Sequence, residues 1–193
     1  MKDGRKVLFY AIAIALVLSV LGISVGFAAM SSQLTISGST TMTPASWKIK
    51  FNNLSQPTIA GTATVATAPT IQSDTHIGNY AVTLSKPGDE IIYTFDVVNS
   101  GTIDAELSTF LFAEPTITGT GDAALADAQI VKDNLVYTLT YANGTAIQVG
   151  DELAKGATVS LKLTVGYSAE ASELPLNEVS ISGMDVTFVY GQK

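Results

Sequence analysis

The sequence predicts an all-β protein: an antiparallel β-sandwich of jelly-roll type with one short inserted helix, preceded by an N-terminal hydrophobic signal or transmembrane helix. Three observations carry this prediction. Apolar residues recur with period two in many short runs, the signature of half-buried antiparallel strands. Gly-, Pro- and Asn-containing turn signals separate those runs. Only one internal segment favours a helix, so the chain lacks the alternation of strands and helices that a βαβ architecture requires.

Taken in order, the chain begins with Lys2, Arg5 and Lys6 ahead of a 24-residue apolar run, Val7 to Met30. A basic start, an apolar core and a patch of small residues are the parts of an export signal. Gly26-Phe27-Ala28 fits the small-x-small rule, with cleavage between Ala28 and Ala29. Secretory cores are usually about 7–15 residues long, whereas about 20 apolar residues suffice to span a bilayer. Two readings therefore stand side by side: residues 1–28 as a removed signal peptide, or the same segment kept as an anchor. Both deliver residues 29–193, a single β-sandwich domain, outside the cytoplasm.

Next comes a Ser/Thr-rich alternating segment, Ala29 to Gly38, in which Met30, Leu34 and Ile36 share one face and Ser32 is a gap between them. Trp47, Ile49 and Phe51 alternate with Lys48 and Lys50. Residues 55–79 read as an irregular edge strand with a long loop, since Pro57 and Pro69 exclude a central strand. Ile91, Tyr93, Phe95 and Val97 form the clearest strand face. The segment Asp122 to Asp133 favours a helix, with Asp122 as its N-cap. Three more strands follow on Leu135–Tyr141, Val159–Tyr167 and Val186–Tyr190. The turn signals are Lys86-Pro87-Gly88-Asp89, Asn99-Ser100-Gly101, Ala142-Asn143-Gly144, Gly150-Asp151 and Lys155-Gly156.

Composition narrows the function classes. The chain has 193 residues and no cysteine, so disulfide frameworks, thiolate metal sites and thiol catalysis are excluded. An exported chain without cysteine suits a cell that does not rely on disulfides, such as a bacterium. Of 10 basic and 17 acidic residues, three basic and one acidic lie in the first 28. Residues 29–193 therefore carry 7 against 16, a net charge of −9. Such a surface opposes nucleic acid and anionic lipid, so membrane contact is expected only through the N-terminal segment before processing.

Catalytic chemistry finds little footing. His76 is the one histidine, and neither a zinc motif nor a nucleophile elbow accompanies it. It reads as a surface loop residue. The acidic pairs Asp89/Glu90, Asp151/Glu152 and Asp122/Asp127 lack calcium-loop spacing, and turn or cap roles account for Asp89, Asp151 and Asp122. Asn53-Leu54-Ser55 and Asn143-Gly144-Thr145 match the short glycosylation triplet, although Asn143-Gly144 also makes a hairpin turn. The expectation is a non-enzyme with no catalytic, cofactor-binding or metal-binding residue and no cofactor.

Two stretches resemble the TasA/camelysin (CalY) family of secreted bacterial fibre proteins. The first is the junction Gly26-Phe27-Ala28-Ala29-Met30-Ser31-Ser32, followed by alternating residues running towards Trp47-Lys48-Ile49-Lys50-Phe51. The second is Leu84-Ser85-Lys86-Pro87-Gly88-Asp89 leading into Tyr93-Thr94-Phe95-Asp96-Val97-Val98-Asn99-Ser100-Gly101 and Ala105-Glu106-Leu107. The resemblance implies cleavage at Ala28/Ala29 by a dedicated signal peptidase. It also implies a jelly-roll subunit of an extracellular matrix fibre or pilus, a homopolymer assisted by an accessory protein. In such filaments the mature N-terminal strand is donated to the neighbouring subunit, here through Met30, Leu34 and Ile36. Alternation alone does not name the partner strand, so donation and pairing within its own sheet both stand. The alternative function is a surface-anchored binding or adhesion module that does not polymerise.

Overall fold

The computed structural model describes residues 6–18 and 38–193. The expected cleavage pair Ala28 and Ala29 and the donor residues Met30, Leu34 and Ile36 lie outside the described residues. The chain divides into two compact units, Met1–Thr43 and Pro44–Lys193. In the first, residues 6–18 are helical (α1) and expose apolar side chains all round, among them Val7, Phe9, Tyr10 and Leu18. Among the described residues no helix is long and apolar enough to cross a membrane.

The second unit is built mostly of antiparallel strands, with one further short helix. Its larger sheet has five strands: β1 (Ile49–Asn52), β2 (Thr58–Ala60), β7 (Glu90–Asn99), β10 (Leu135–Tyr141) and β12 (Thr158–Tyr167). They run in the order β1-β7-β12-β10, with β2 paired to β7 beyond the end of β1. The smaller sheet has the order β11-β8-β14, from Glu152–Leu153, Ala105–Phe112 and Val186–Gln192 respectively. Two-stranded ribbons join β3 (Thr64–Thr67) to β6 (Ala81–Thr83), β4 (Ile71–Ser73) to β5 (His76–Ile77), and β9 (Thr116–Gly119) to β13 (Val179–Ser182). Helix α2 (Ala124–Asn134) packs on β9 and β13.

Alternation explains the centre of the larger sheet. Ile91, Tyr93, Phe95 and Val97 of β7 are all buried, as are Leu161, Leu163 and Val165 of β12, and the residues between them in β7 are half-exposed. The two sheets meet face to face through rings: Phe51 of β1 lies 6.3 Å from Phe188 of β14, and Phe112 of β8 stacks 4.3 Å from Tyr137 of β10. Such edge-to-face and offset pairs add to the burial that drives the two layers together.

The structure amends two expectations and adds strands that the alternation did not mark. Asp122 does not cap α2: the N-cap position is Ala123, with no side-chain cap bond. The backbone itself turns there, with Ala124 N–H donating to the carbonyl of Gly121, which has a φ of +73°. Residues 55–79 hold the expected edge strand, β2, directly after Pro57, but short strands replace the expected long loop. Strand β8 is one of those added. Its consecutive Phe110, Leu111 and Phe112 blur the period of two, and both faces carry apolar groups because its outer residue Leu111 is 60% exposed.

Candidate functional site: an open groove beside β14

The smaller sheet ends on β14, which among the described residues pairs on one edge only, with β8. Ala113 N–H donates to the carbonyl of Asp185 at the start of this ladder. By antiparallel alternation, the backbone groups of Asp185, Thr187 and Val189 face β8, and those of Val186 and Phe188 face the open side. Beside that edge the core is uncovered. A groove of about 680 Å³ runs between β14 and β1, with Phe51, Tyr93, Phe95, Val97 and Leu163 on the larger sheet and Val186, Phe188 and Tyr190 on β14.

Tyr80 and Tyr93 line one end of the groove, and Tyr137 lies beside Tyr80, all three with buried hydroxyls. The Tyr80 and Tyr137 hydroxyls lie close enough to interact with each other, and that of Tyr93 has no hydrogen-bond partner among the described residues. Tyr80 and Tyr93 pack their rings 5.6 Å apart. Burial raises the pKa of all three, and the nearby Asp185 carboxylate raises Tyr80 and Tyr137 further. These hydroxyls therefore stay protonated at physiological pH and offer neutral donors and acceptors. At the other end, burial and the Asp151 carboxylate push Tyr190 up to about 12.

The β4–β5 ribbon forms part of the rim. Phe51 N–H donates to the Asp74 carbonyl at 2.7 Å, tying the turn of the ribbon to the outer edge of β1. Lys48 and Asp74 form an ion pair at 3.2 Å, exposed on both sides and so of small energetic weight. His76 sits on β5, exposed, at this same rim.

The structure separates the remaining sequence candidates rather than gathering them. Asp89 is buried in the Lys86-Pro87-Gly88-Asp89 turn, where its carboxylate accepts from the backbone of Thr62, Ser85 and Lys86 and from the Thr62 hydroxyl. Asp151 accepts from the Tyr141 hydroxyl at 2.7 Å and from Gln148 N–H at 2.8 Å. Asp127, in the first turn of α2, accepts from Leu176 N–H and from both nitrogens of Asn177. Asn53 donates to Asp96, and the Asn143 carbonyl oxygen accepts from Thr145 N–H within its turn. Among the described residues no group of three or more His, Asp or Glu side chains is placed to hold a metal ion. Sequence reasoning missed the tyrosine cluster, and it named Asp127 only as the partner of Asp122 in an acidic pair, without the role it has here. Tyr80 lies in a segment without periodicity, and only the fold brings it to Tyr93 and Tyr137.

No family model, no curated protein and no solved structure matches this chain.

Proposed function

We propose that this chain is a secreted structural subunit of an extracellular filament or matrix fibre, a homopolymer joined by donation of the mature N-terminal strand to the next subunit. The observation that carries the reading is the groove, with an apolar floor and a charged and polar rim, lying along the edge of β14 that is unpaired among the described residues. A strand added there would satisfy the outward backbone groups of Val186 and Phe188 and close the core, the physics of strand addition to a sheet edge. The segment Ala29–Gly38 has the required form: about ten residues, or roughly 33 Å extended, apolar on one face and polar on the other. The finer jelly-roll topology fits as well, since β7, β8, β10, β11, β12 and β14 alternate between the two sheets in chain order. The likeness to the TasA/camelysin family at the signal junction and the Pro-Gly-Asp turn points the same way. In this reading a signal peptidase acts between Ala28 and Ala29, the product is extracellular, an accessory protein assists assembly, and no cofactor or catalytic step is involved.

One observation favours a second reading. Residues 6–18 form a helix apolar on every side, which suits a retained anchor carrying a surface module that does not polymerise. The N-terminal mass of the native protein, taken with a negative-stain image, decides between them. A mass beginning at or near Ala29 together with filaments supports the fibre subunit. A chain that keeps residues 7–30 and forms no filaments supports the anchored module.

A further inference from the structure

The groove is covered along β1 by a small hairpin. Ribbon β4–β5 pairs with no other strand among the described residues, and Gly78 N–H donates to the Thr70 carbonyl at 2.7 Å to close its base. Its turn residues Asp74 and Thr75 and the following His76 and Ile77 all line the groove. Residues 71–76 are exposed, and within the ribbon only Ile77 packs against the core. Two polar contacts hold the tip on the larger sheet: Phe51 N–H donates to the Asp74 carbonyl at 2.7 Å, and Lys48 pairs with the Asp74 carboxylate at 3.2 Å. No other hydrogen bond or ion pair joins residues 71–77 to another element among the described residues.

Such attachments are weak. An exposed ion pair contributes little, and a single backbone hydrogen bond contributes little once the water it replaces is counted. Segments with few buried contacts and exposed hydrogen bonds open locally while the rest of a fold stays intact. We propose that ribbon β4–β5 is a releasable strap. It lifts off the edge of β1 as a unit, without unfolding of the sandwich, and so uncovers the groove; the Lys48–Asp74 ion pair sets how often it opens. The strap goes beyond the filament reading and does not rest on what fills the groove.

The register of β1 supplies an internal control. Lys50 and Asn52 lie opposite Val98 and Asp96 of β7, and Ser100 N–H donates to the Lys48 carbonyl. By antiparallel alternation the backbone groups of Lys48, Lys50 and Asn52 face β7, and those of Ile49 and Phe51 face away from it. The Phe51 amide is therefore covered by the strap, whereas the amides one residue to either side are covered by a central strand of the sheet. Opening of the strap frees the first and leaves the other two bonded. While closed, the strap also occupies an edge that would otherwise offer its unpaired groups to another chain.

The test follows hydrogen exchange of single amides in the native, unassembled protein. Phe51 should be protected at least about tenfold less than Lys50 and Asn52. Raising salt from about 20 mM to about 0.5 M screens the ion pair and should speed exchange at Phe51 by about two- to fivefold, with Lys50 and Asn52 unchanged. Asp74→Ala, which keeps the backbone acceptor, should give the same gain at low salt and abolish the salt dependence. Lys48→Ala should match it, and the two substitutions together should do no more than either. Nile red, a neutral apolar dye, reads access to the groove. Its apparent affinity should rise in Asp74→Ala by the same factor as the exchange rate, because a ligand that takes only the open state gains with that state's population. Protection of Phe51 equal to that of Lys50 and Asn52 would make the ribbon a fixed edge guard and overturn the strap. Exchange indifferent to Asp74→Ala, or dye affinity that does not follow the exchange rate, would overturn it as well. Native protein that forms no filaments would overturn the filament reading and leave each of these outcomes unchanged.

Discussion

Asp89 shows how one residue holds several segments together. Burial alone would raise its carboxyl, but hydrogen bonds from Ser85, Thr62 and Lys86 outweigh that and hold its pKa below the ordinary carboxylate value. A carboxyl with a lowered folded pKa stabilises the fold above its unfolded pKa of about 3.9, and that contribution is lost as the pH falls through the folded value. Asp127 is lowered in the same sense: the Leu176 N–H holds it down first, against burial, and Asn177 adds to this. Thermal melts between pH 7 and pH 2 should therefore lose stability mainly below about pH 4. Asp89→Asn should melt lower than the parent at pH 7 and show a shallower fall on acidification. Parallel curves for parent and variant would contradict this role. The same site explains Gly61, whose φ of +70° and approach to the Asp89 carboxylate leave no room for a Cβ. Gly61→Ala should destabilise by roughly 1–3 kcal/mol, the cost of a strained left-handed residue, where an unstrained glycine replacement would stabilise slightly, measured by urea unfolding.

At the scale of elements, legibility in the sequence followed exposure. Strand β7 presents one buried face, while β12 is buried on both faces from Leu163 to Tyr167, and the apolar alternation in each located both to within a residue or two. Strand β8 was not marked by alternation, because Phe110, Leu111 and Phe112 place apolar groups on both faces. The ribbons of residues 64–83 are short and mostly exposed, so no apolar period marks them. The helix was legible from its run of alanines, but its start was not, since a backbone turn at Gly121 does the work expected of Asp122. The groove escaped altogether: its edge is a property of sheet order, and its lining joins segments distant in sequence, among them Tyr80 ahead of β6, Tyr93 on β7 and Phe188 on β14. The layer assignment itself is testable. Leu161 is buried on the inner face of β12, and Leu161→Ala should cost about 2–5 kcal/mol. Leu111 faces outward, and Leu111→Ser should change stability by no more than about 0.5 kcal/mol. Equal losses at both positions, measured by urea unfolding, would refute the assignment of inner and outer faces.

For the whole molecule, one imbalance links fold to function. Among the described residues the larger sheet offers five strands and the smaller three, and the core between them is open along β14. A segment that supplies a strand there would complete the sandwich and, coming from a neighbour, join subunits into a chain whose length no symmetry limits. In the proposed reading, a strand inserted along its full length would join subunits through both backbone hydrogen bonds and apolar burial, and the acidic net charge would oppose non-specific association. The most direct measurement compares processed protein with and without Ala29–Gly38 by negative-stain electron microscopy, with melting curves confirming that both are folded. The account predicts filaments from the intact protein and only soluble monomers from the truncated one; filaments from the truncated protein would contradict it.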